Sequence, residues 1–177
     1  MATAKIAIKK KGKCETYLSV VLPVYNEEDN INLQYEKIIS AVIPLKKSFE
    51  IVFVDDGSKD RSYELLCALA KKDKRVKVVS FRRNFGQTAA MQAGIDHACG
   101  DVIAFMDSDL QNDPEDIRIM LDKLDEGYDV VSGWRKHRKD KLISRKIPSW
   151  IANRIISFVS GVRLHDLGCS LKVYRSD

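Results

Sequence analysis

An α/β fold, a doubly wound and mainly parallel sheet with helices on both faces, is what the sequence of this 177-residue chain predicts. Two observations carry that expectation. Short apolar runs too brief for helices alternate with segments of helical period, and clusters of small polar and charged residues come directly after the runs. The central run is Val102-Ile103-Ala104-Phe105-Met106, which lacks the alternation of a half-exposed strand and so reads as covered on both faces. It ends in Asp107-Ser108-Asp109, two carboxylates one residue apart at the carboxyl end of a strand, where open parallel sheets bind ligands. Carboxylates this close repel each other unless a cation or hydrogen-bond donors compensate, and a hard divalent ion bridging to phosphate oxygens is an economical partner.

Taken in order, Leu18-Ser19-Val20-Val21-Leu22-Pro23 is a β-branched strand that proline brings to a stop. Asn26-Glu27-Glu28-Asp29 then supplies a cap and an acidic first turn for a helix reaching about residue 42. Glu50-Ile51-Val52-Phe53-Val54 is a second strand, ending in Asp55-Asp56-Gly57-Ser58. Over 59–72, Tyr63, Leu65, Leu66, Leu69 and Ala70 recur at helical spacing, and 76–81 is a third strand. An alanine-rich helix over 86–98 leads into the central strand. Pro114 opens a helix to about residue 124 that Gly127 ends, 129–133 forms a fifth strand, and Leu171-Lys172-Val173-Tyr174 closes as a short alternating one.

Composition narrows the class without choosing a function. A chain that is 45% hydrophobic and 31% charged is ordinary for one soluble domain with a sizeable core. Cys14, Cys67, Cys99 and Cys169 are far apart and make neither a zinc motif nor a disulfide framework, so they read as reduced cytosolic thiols. The net charge of +5 favours an anionic partner, whether nucleotide, nucleic acid or lipid head group. No apolar run is long enough to span a bilayer, and residues 1–16 read as a disordered or tag-like arm before a domain over 17–177. A dinucleotide oxidoreductase is disfavoured because no Gly-x-Gly-x-x-Gly follows the first strand.

Residues 136–162 differ from the rest. Arg138, Lys139, Lys141, Arg145 and Lys146 precede an apolar-faced segment containing Trp150, Ile151, Ile155 and Phe158. The pattern suits a helix lying in a membrane interface with its basic entry on anionic head groups, and equally a core-packing helix behind a solvated basic loop.

The motifs Leu22-Pro23-Val24-Tyr25-Asn26-Glu27, Asp55-Asp56-Gly57-Ser58, Arg83-Asn84-Phe85-Gly86, Asp107-Ser108-Asp109-Leu110-Gln111, Gly133-Trp134-Arg135 and Asp166-Leu167-Gly168 occur in this order. Together they resemble the inverting family 2 glycosyltransferases of GT-A fold, and within them the polyprenyl-phosphate and dolichyl-phosphate hexosyltransferases. The resemblance implies that Pro23, Tyr25, Glu27, Asp55, Asp56 and Asp107 line a nucleotide site, with Asp56 accepting a hydrogen bond from the base. It implies that Asp107, Asp109 and Gln111 hold Mg2+ or Mn2+. It places Arg82, Arg83, Gly86 and Gln87 near a donor or acceptor phosphate, and Arg135 and Arg175 on the acceptor phosphate. Asp109, Asp166 and Arg135 become the catalytic candidates, Asp166 as base or acceptor-orienting group with His165 beside it. A structural reading stands next to several of these: Asp55-Asp56-Gly57 also suits a tight turn, and Glu27 a helix-start charge.

The reaction implied by the resemblance is transfer of a hexose from a nucleoside diphosphate sugar to a polyprenyl phosphate at the cytoplasmic face of a membrane. UDP-glucose is the first expectation for the donor, ahead of GDP-mannose and UDP-N-acetylhexosamine. Expected partners are the donor, the lipid acceptor and the membrane surface, with no nucleic acid and with a homo-oligomer left open. Transmembrane helices that many such enzymes carry after this domain would lie beyond residue 177. Transfer to a sugar hydroxyl, or nucleotide binding without catalysis, are the alternatives. If the basic segment docks on membranes, charge reversal at Arg138, Lys139 and Lys141 weakens co-sedimentation with anionic liposomes; unchanged sedimentation favours the solvated loop.

Overall fold

The computed structural model describes residues 15–133 and 169–176. The interfacial-segment expectation for 136–162, the residues Arg135, His165 and Asp166, and most of the arm at 1–16 lie outside the described residues.

Among the described residues six strands form one sheet. In chain order the elements are β1 (Leu18–Val24), α1 (Ile31–Val42), β2 (Phe49–Asp55), α2 (Ser62–Lys72), β3 (Val76–Ser80), α3 (Gln87–His97), β4 (Val102–Phe105), α4 (Asp116–Asp125), β5 (Val130–Ser132) and β6 (Lys172–Arg175). Across the sheet the order is β3-β2-β1-β4-β6-β5. β1, β2, β3 and β4 run parallel, whereas β6 is antiparallel to both β4 and β5. The mainly parallel expectation holds. What periodicity did not reveal is that the last strand in the chain slots between the fourth and fifth.

Strict alternation distributes the strands between two apolar layers. Leu18, Val20, Leu22 and Val24 of β1, Ile51 and Phe53 of β2, and Val102 and Ala104 of β4 face one side. There Ile31, Ile38 and Val42 of α1, Leu66 and Leu69 of α2, and Ile117, Met120, Leu121 and Leu124 of α4 cover them at helical spacing. Val21, Val52, Val54, Ile103 and Phe105 face the other side, where α3 packs through Ala90. A β-carbon at Gly94 would collide with Val21 Cγ1, so the small residues of α3 let its backbone approach β1 closely.

Pro23 does not end β1. The strand continues to Val24, pairing Pro23 with Val54 and Val24 with Asp55. A central-strand proline is tolerated because its nitrogen faces the β4 side, where pairing with β4 stops at Val21–Phe105. Its carbonyl on that side accepts from Ser108 Oγ at 2.9 Å.

The acidic stretch after β1 also behaves differently from a helix cap. Asn26 has φ of 55°, α1 starts only at Ile31, and Asn30 makes no side-chain cap bond. The Asn26, Glu27 and Glu28 amides instead donate to Ser58 Oγ, Ser62 Oγ and Asp60 Oδ2, and Asn26 Oδ1 and Glu28 Oε2 accept from the Lys59 and Arg61 amides. Polar side chains here latch the loop after β1 to the loop after β2, which outcompetes local capping because it satisfies backbone groups of both.

At the amino ends of the strands sits a buried carboxylate. Glu50 Oε1 accepts from Ser19 Oγ at 2.7 Å and from the Cys99 amide at 2.6 Å, and Oε2 lies 2.5 Å from Lys77 Nζ. Burial alone raises the Glu50 pKa, but the Lys77, Ser19 and Cys99 hydrogen bonds and the Lys77 charge outweigh it and hold the carboxyl below its ordinary value. A lowered folded-state pKa contributes stability above the unfolded-state value, and that contribution disappears as pH falls through the folded-state one. Glu50→Gln should therefore lower unfolding free energy by about 2 kcal/mol near neutrality, with the gap from wild type narrowing below about pH 4, as read by urea denaturation at both pH values.

Candidate active site

Every loop at the carboxyl ends of β1, β2, β3 and β4 contributes to one cleft of about 320 Å³. Pro23, Val24, Tyr25 and Glu27 come from the β1 end, Asp56 from the β2 end, Asn84, Gly86 and Gln87 from the β3 end, and Asp107, Ser108 and Asp109 from the β4 end. A parallel sheet places these loops at the same edge, so residues far apart in sequence converge without a special device.

Asp56 ties the cleft together. It is 3% exposed, and its Oδ1 and Oδ2 accept from the Phe85 amide at 2.7 Å and the Gly86 amide at 2.9 Å. Its own amide donates to the Val24 carbonyl at 2.8 Å. Gly57 comes next with φ of +72°, and a β-carbon there would collide with the backbone of Arg83 and Asn84. Left-handed backbone and close approach both require glycine, so Asp56-Gly57 is the dock on which the 82–86 loop sits. Asp55 points elsewhere. Its two oxygens accept from the Ser58 amide and Ser80 Oγ, at 3.1 and 2.9 Å, and it is not a lining residue of the cleft.

Asp107 and Asp109 both reach the cleft because Ser108 between them turns inward to the Pro23 carbonyl. Gln87 Nε2, in the first residue of α3, donates to Asp107 Oδ1 at 2.7 Å. Asp109 is exposed, with Oδ1 accepting the Gln111 amide at 3.1 Å across Leu110, whose φ is 61°. The first turn of α3 opens on the same space, which favours an anion there. Tyr25, 41% exposed, presents a ring at the rim, and Glu27 Oε2 is held by Asn30 Nδ2 at 2.7 Å.

Electrostatically the lining is one-sided. Glu27, Asp56, Asp107 and Asp109 supply carboxylates, and among the described residues no lysine or arginine lines this cleft. Amides satisfy Asp56, whereas Asp107 and Asp109 keep oxygens available to a cation. Among the described residues no group of three His, Cys, Asp or Glu forms a closed metal cage. Two carboxylates at an open cleft suit Mg2+ or Mn2+ nonetheless, because such ions complete their shell with water and ligand phosphate oxygens.

A second cleft of about 210 Å³ adjoins the first and shares Pro23, Gln87 and Asp107 with it. Met91, Phe105, Met106, Cys169, Ser170 and Lys172 form the rest of its wall. Asn112 Nδ2 donates to Ser170 Oγ at 2.7 Å and fixes that hydroxyl.

Several expected site residues are not in these clefts. Gln111 is exposed and lines neither. Arg82 and Arg83 are outside both, Arg83 lying 4.8 Å from the centre of the Phe85 ring. Arg175 needs correction. Antiparallel pairing sets it against Val102, the first residue of β4, at the opposite end of the sheet from Asp107. Its guanidinium donates to the Leu124 carbonyl at the end of α4, so it neutralises a helix carboxyl terminus rather than a ligand phosphate. Lys172, Ser170, Asn84 and Ser108 are the residues that motif reading left unassigned. The signal for the first two was the alternation of Ser170 and Lys172 with the buried Leu171 and Val173.

A mainly parallel sheet with an acidic pair beside a cleft at its carboxyl edge accords with the expected GT-A fold. The chain belongs to the Glycosyl transferase family 2, which matches residues 19–177. It is 48% identical over 166 residues to a dodecaprenyl-phosphate galacturonate synthase of Rhizobium johnstonii, covering 90% of this chain and 48% of that protein. It is 44% identical over 159 residues to an undecaprenyl-phosphate 4-deoxy-4-formamido-L-arabinose transferase of Pseudomonas aeruginosa, covering 89% and 47%. The chain thus spans about half the length of these curated relatives. Among solved structures, glucosyl-3-phosphoglycerate synthase from Mycobacterium tuberculosis in complex with UDP superposes with a TM-score of 0.65 at 23% identity, over 91% of this chain and 57% of that one. The mannosyltransferase PcManGT from Pyrobaculum calidifontis in complex with GDP-Man and Mn2+ gives 0.63 at 19% identity, over 92% and 45%. At these identities the structural likeness establishes the fold.

Asp56→Asn keeps the shape but turns one acceptor into a donor facing an amide. It should cost about 1–3 kcal/mol and accelerate hydrogen exchange at the Phe85 and Gly86 amides, read by exchange mass spectrometry; unchanged exchange would separate the loop from Asp56.

Proposed function

We propose that this chain is the catalytic domain of a glycosyltransferase that moves a sugar from a nucleoside diphosphate donor to a polyprenyl phosphate. The observation that carries the reading is the pairing of Asp107 with Asp109 in a cleft whose lining has no basic side chain among the described residues. Among the described residues the charged side chains that a diphosphate would meet there are carboxylates, which supports a cation accompanying it. Asp107 and Asp109 would hold Mg2+ or Mn2+, which when bound supplies Lewis-acid neutralisation of the departing diphosphate. Gln87 orients Asp107 for that task.

Base and ribose fit the β1 and β2 side of the cleft, with Tyr25 flanking the base and Asp56 offering its remaining lone pairs to a ring N–H. The acceptor phosphate oxygen attacks the anomeric carbon in line. A bond forms from that oxygen to the carbon, the carbon–oxygen bond to the donor diphosphate breaks, and its electron pair leaves with the nucleoside diphosphate, inverting the centre. A phosphate monoester is already anionic near neutrality, so the nucleophile needs no strong base from this chain. The aspartate offered for orienting the acceptor, Asp166, and its companion Arg135 keep their roles as proposals.

The donor sugar moves away from the first expectation. Neither relative is named for glucose; one is named for galacturonate and the other for 4-deoxy-4-formamido-L-arabinose, which supports a sugar modified at its outer carbons over UDP-glucose. Membrane association at the cytoplasmic face accords with a lipid acceptor. No described helix is long and apolar enough to cross a bilayer.

The test is calorimetric titration of UDP with Mn2+ into wild type and Asp109→Ala, combined with a transfer assay on a short prenyl phosphate. Asp109→Ala should fold normally, because the side chain is exposed, and should lose metal-dependent UDP affinity by at least about tenfold. Equal affinity would reject the metal assignment. UDP binding by wild type without any turnover across nucleotide sugars would favour a binding domain.

A further inference from the structure

Across the two adjoining clefts, among the described residues, Lys172 is the one basic side chain in the lining. It opens β6, paired with Phe105 at the carboxyl end of β4, two residues along that chain from Asp107. No carboxylate among the described residues pairs with it, whereas Lys77 and Lys123 each hold an acidic partner. Ser170 lies two positions earlier in an extended chain and so shares its face, with Leu171 and Val173 buried on the other. Ser170 Oγ accepts from Asn112 Nδ2, which leaves the hydroxyl proton to donate outward. Asn112 is 7% exposed, so this donor rests on a buried support. Met91, Phe105, Met106 and Cys169 supply an apolar part of the wall, and Pro23, Gln87 and Asp107 are shared with the first cleft.

An ammonium and a fixed hydroxyl on one face of a cleft that is apolar along its Met91 and Phe105 wall suit a single anionic oxygen group. With the nucleotide diphosphate proposed above for the Asp109 side of the first cleft, which Lys172 does not line, the pair is left for another group. We propose that Lys172, with Ser170, holds a second anionic oxygen group, and that this pair sets which charged substrate the enzyme accepts. The inference rests on the proposed glycosyltransferase function and deepens it. Two sources carry the same oxyanion chemistry, the phosphate monoester of the acceptor and a carboxylate on the transferred sugar. In the first case Met91, Phe105 and Met106 meet the start of a prenyl chain; in the second they meet the sugar ring.

Lys172→Met and Lys172→Arg in the 177-residue chain distinguish these cases. Each is titrated, with Mn2+ present, with UDP, with farnesyl phosphate, and with UDP-galacturonate against UDP-galactose. UDP alone should bind wild type and both variants equally, which verifies folding and the first cleft. Farnesyl phosphate affinity falling about tenfold to a hundredfold in Lys172→Met, restored by Lys172→Arg, assigns the site to the acceptor phosphate. A loss of that size in the preference for UDP-galacturonate over UDP-galactose assigns it to the sugar carboxylate. If UDP binds and neither quantity changes, the anion site is overturned while the proposed function stands. If wild type binds no UDP, the proposed function falls and this inference with it.

Discussion

One buried carboxylate holds two amides, and the cleft takes its shape from that tie. Asp56 gathers the Phe85 and Gly86 N–H groups while its own N–H goes to Val24, so the ends of β1 and β2 and the entry to α3 are joined through a single residue. Charge-assisted bonds to backbone donors are strong when desolvated, and Gly57 allows the 83–84 backbone to lie against the same turn. A structural and a ligand-binding role for Asp56 are not exclusive. A carboxylate has about four lone-pair sites, and two are used here.

The electrostatics of the site run against those of the chain. A polypeptide of net charge +5 forms a cleft lined by four carboxylates, with its described basic side chains elsewhere. Long-range attraction favours anionic ligands near the surface, whereas the acidic pair in the cleft favours a cation. Lys172 stands just beyond that pair, separated from the first cleft by the shared wall of Pro23, Gln87 and Asp107.

Strand β6 explains why two basic residues three apart in sequence have unrelated surroundings. Because it runs antiparallel to β4, its first residue, Lys172, meets the carboxyl edge and its last, Arg175, meets the amino edge, where it neutralises the end of α4. Four residues of extended chain are enough to carry a side chain from one end of the short β4 to the other. The buried Glu50 network at the amino edge, with Ser19, Lys77 and the Cys99 amide, anchors β1, β2 and β3 where no ligand is needed.

The amino-acid sequence by itself determined the strands and helices, the parallel character of the sheet and the position of Asp107 and Asp109, because these depend on local period and on apolar runs that end abruptly. It also located Pro23, Tyr25, Glu27 and Asp56 at strand ends, where a parallel sheet collects its loops. Tertiary structure alone decided that Asp55 braces a turn, that Gln111 lies outside the clefts, that Glu28 latches a neighbouring loop instead of opening α1, and that Lys172 rather than Arg175 faces the site. Each of those outcomes depends on which distant backbone group a side chain meets, and on the direction of a strand inserted out of sequence order. Neither is encoded in spacing along the chain, since hydrogen-bond partners as far apart as Glu27 and Ser62, or Asn112 and Ser170, leave no local period to read.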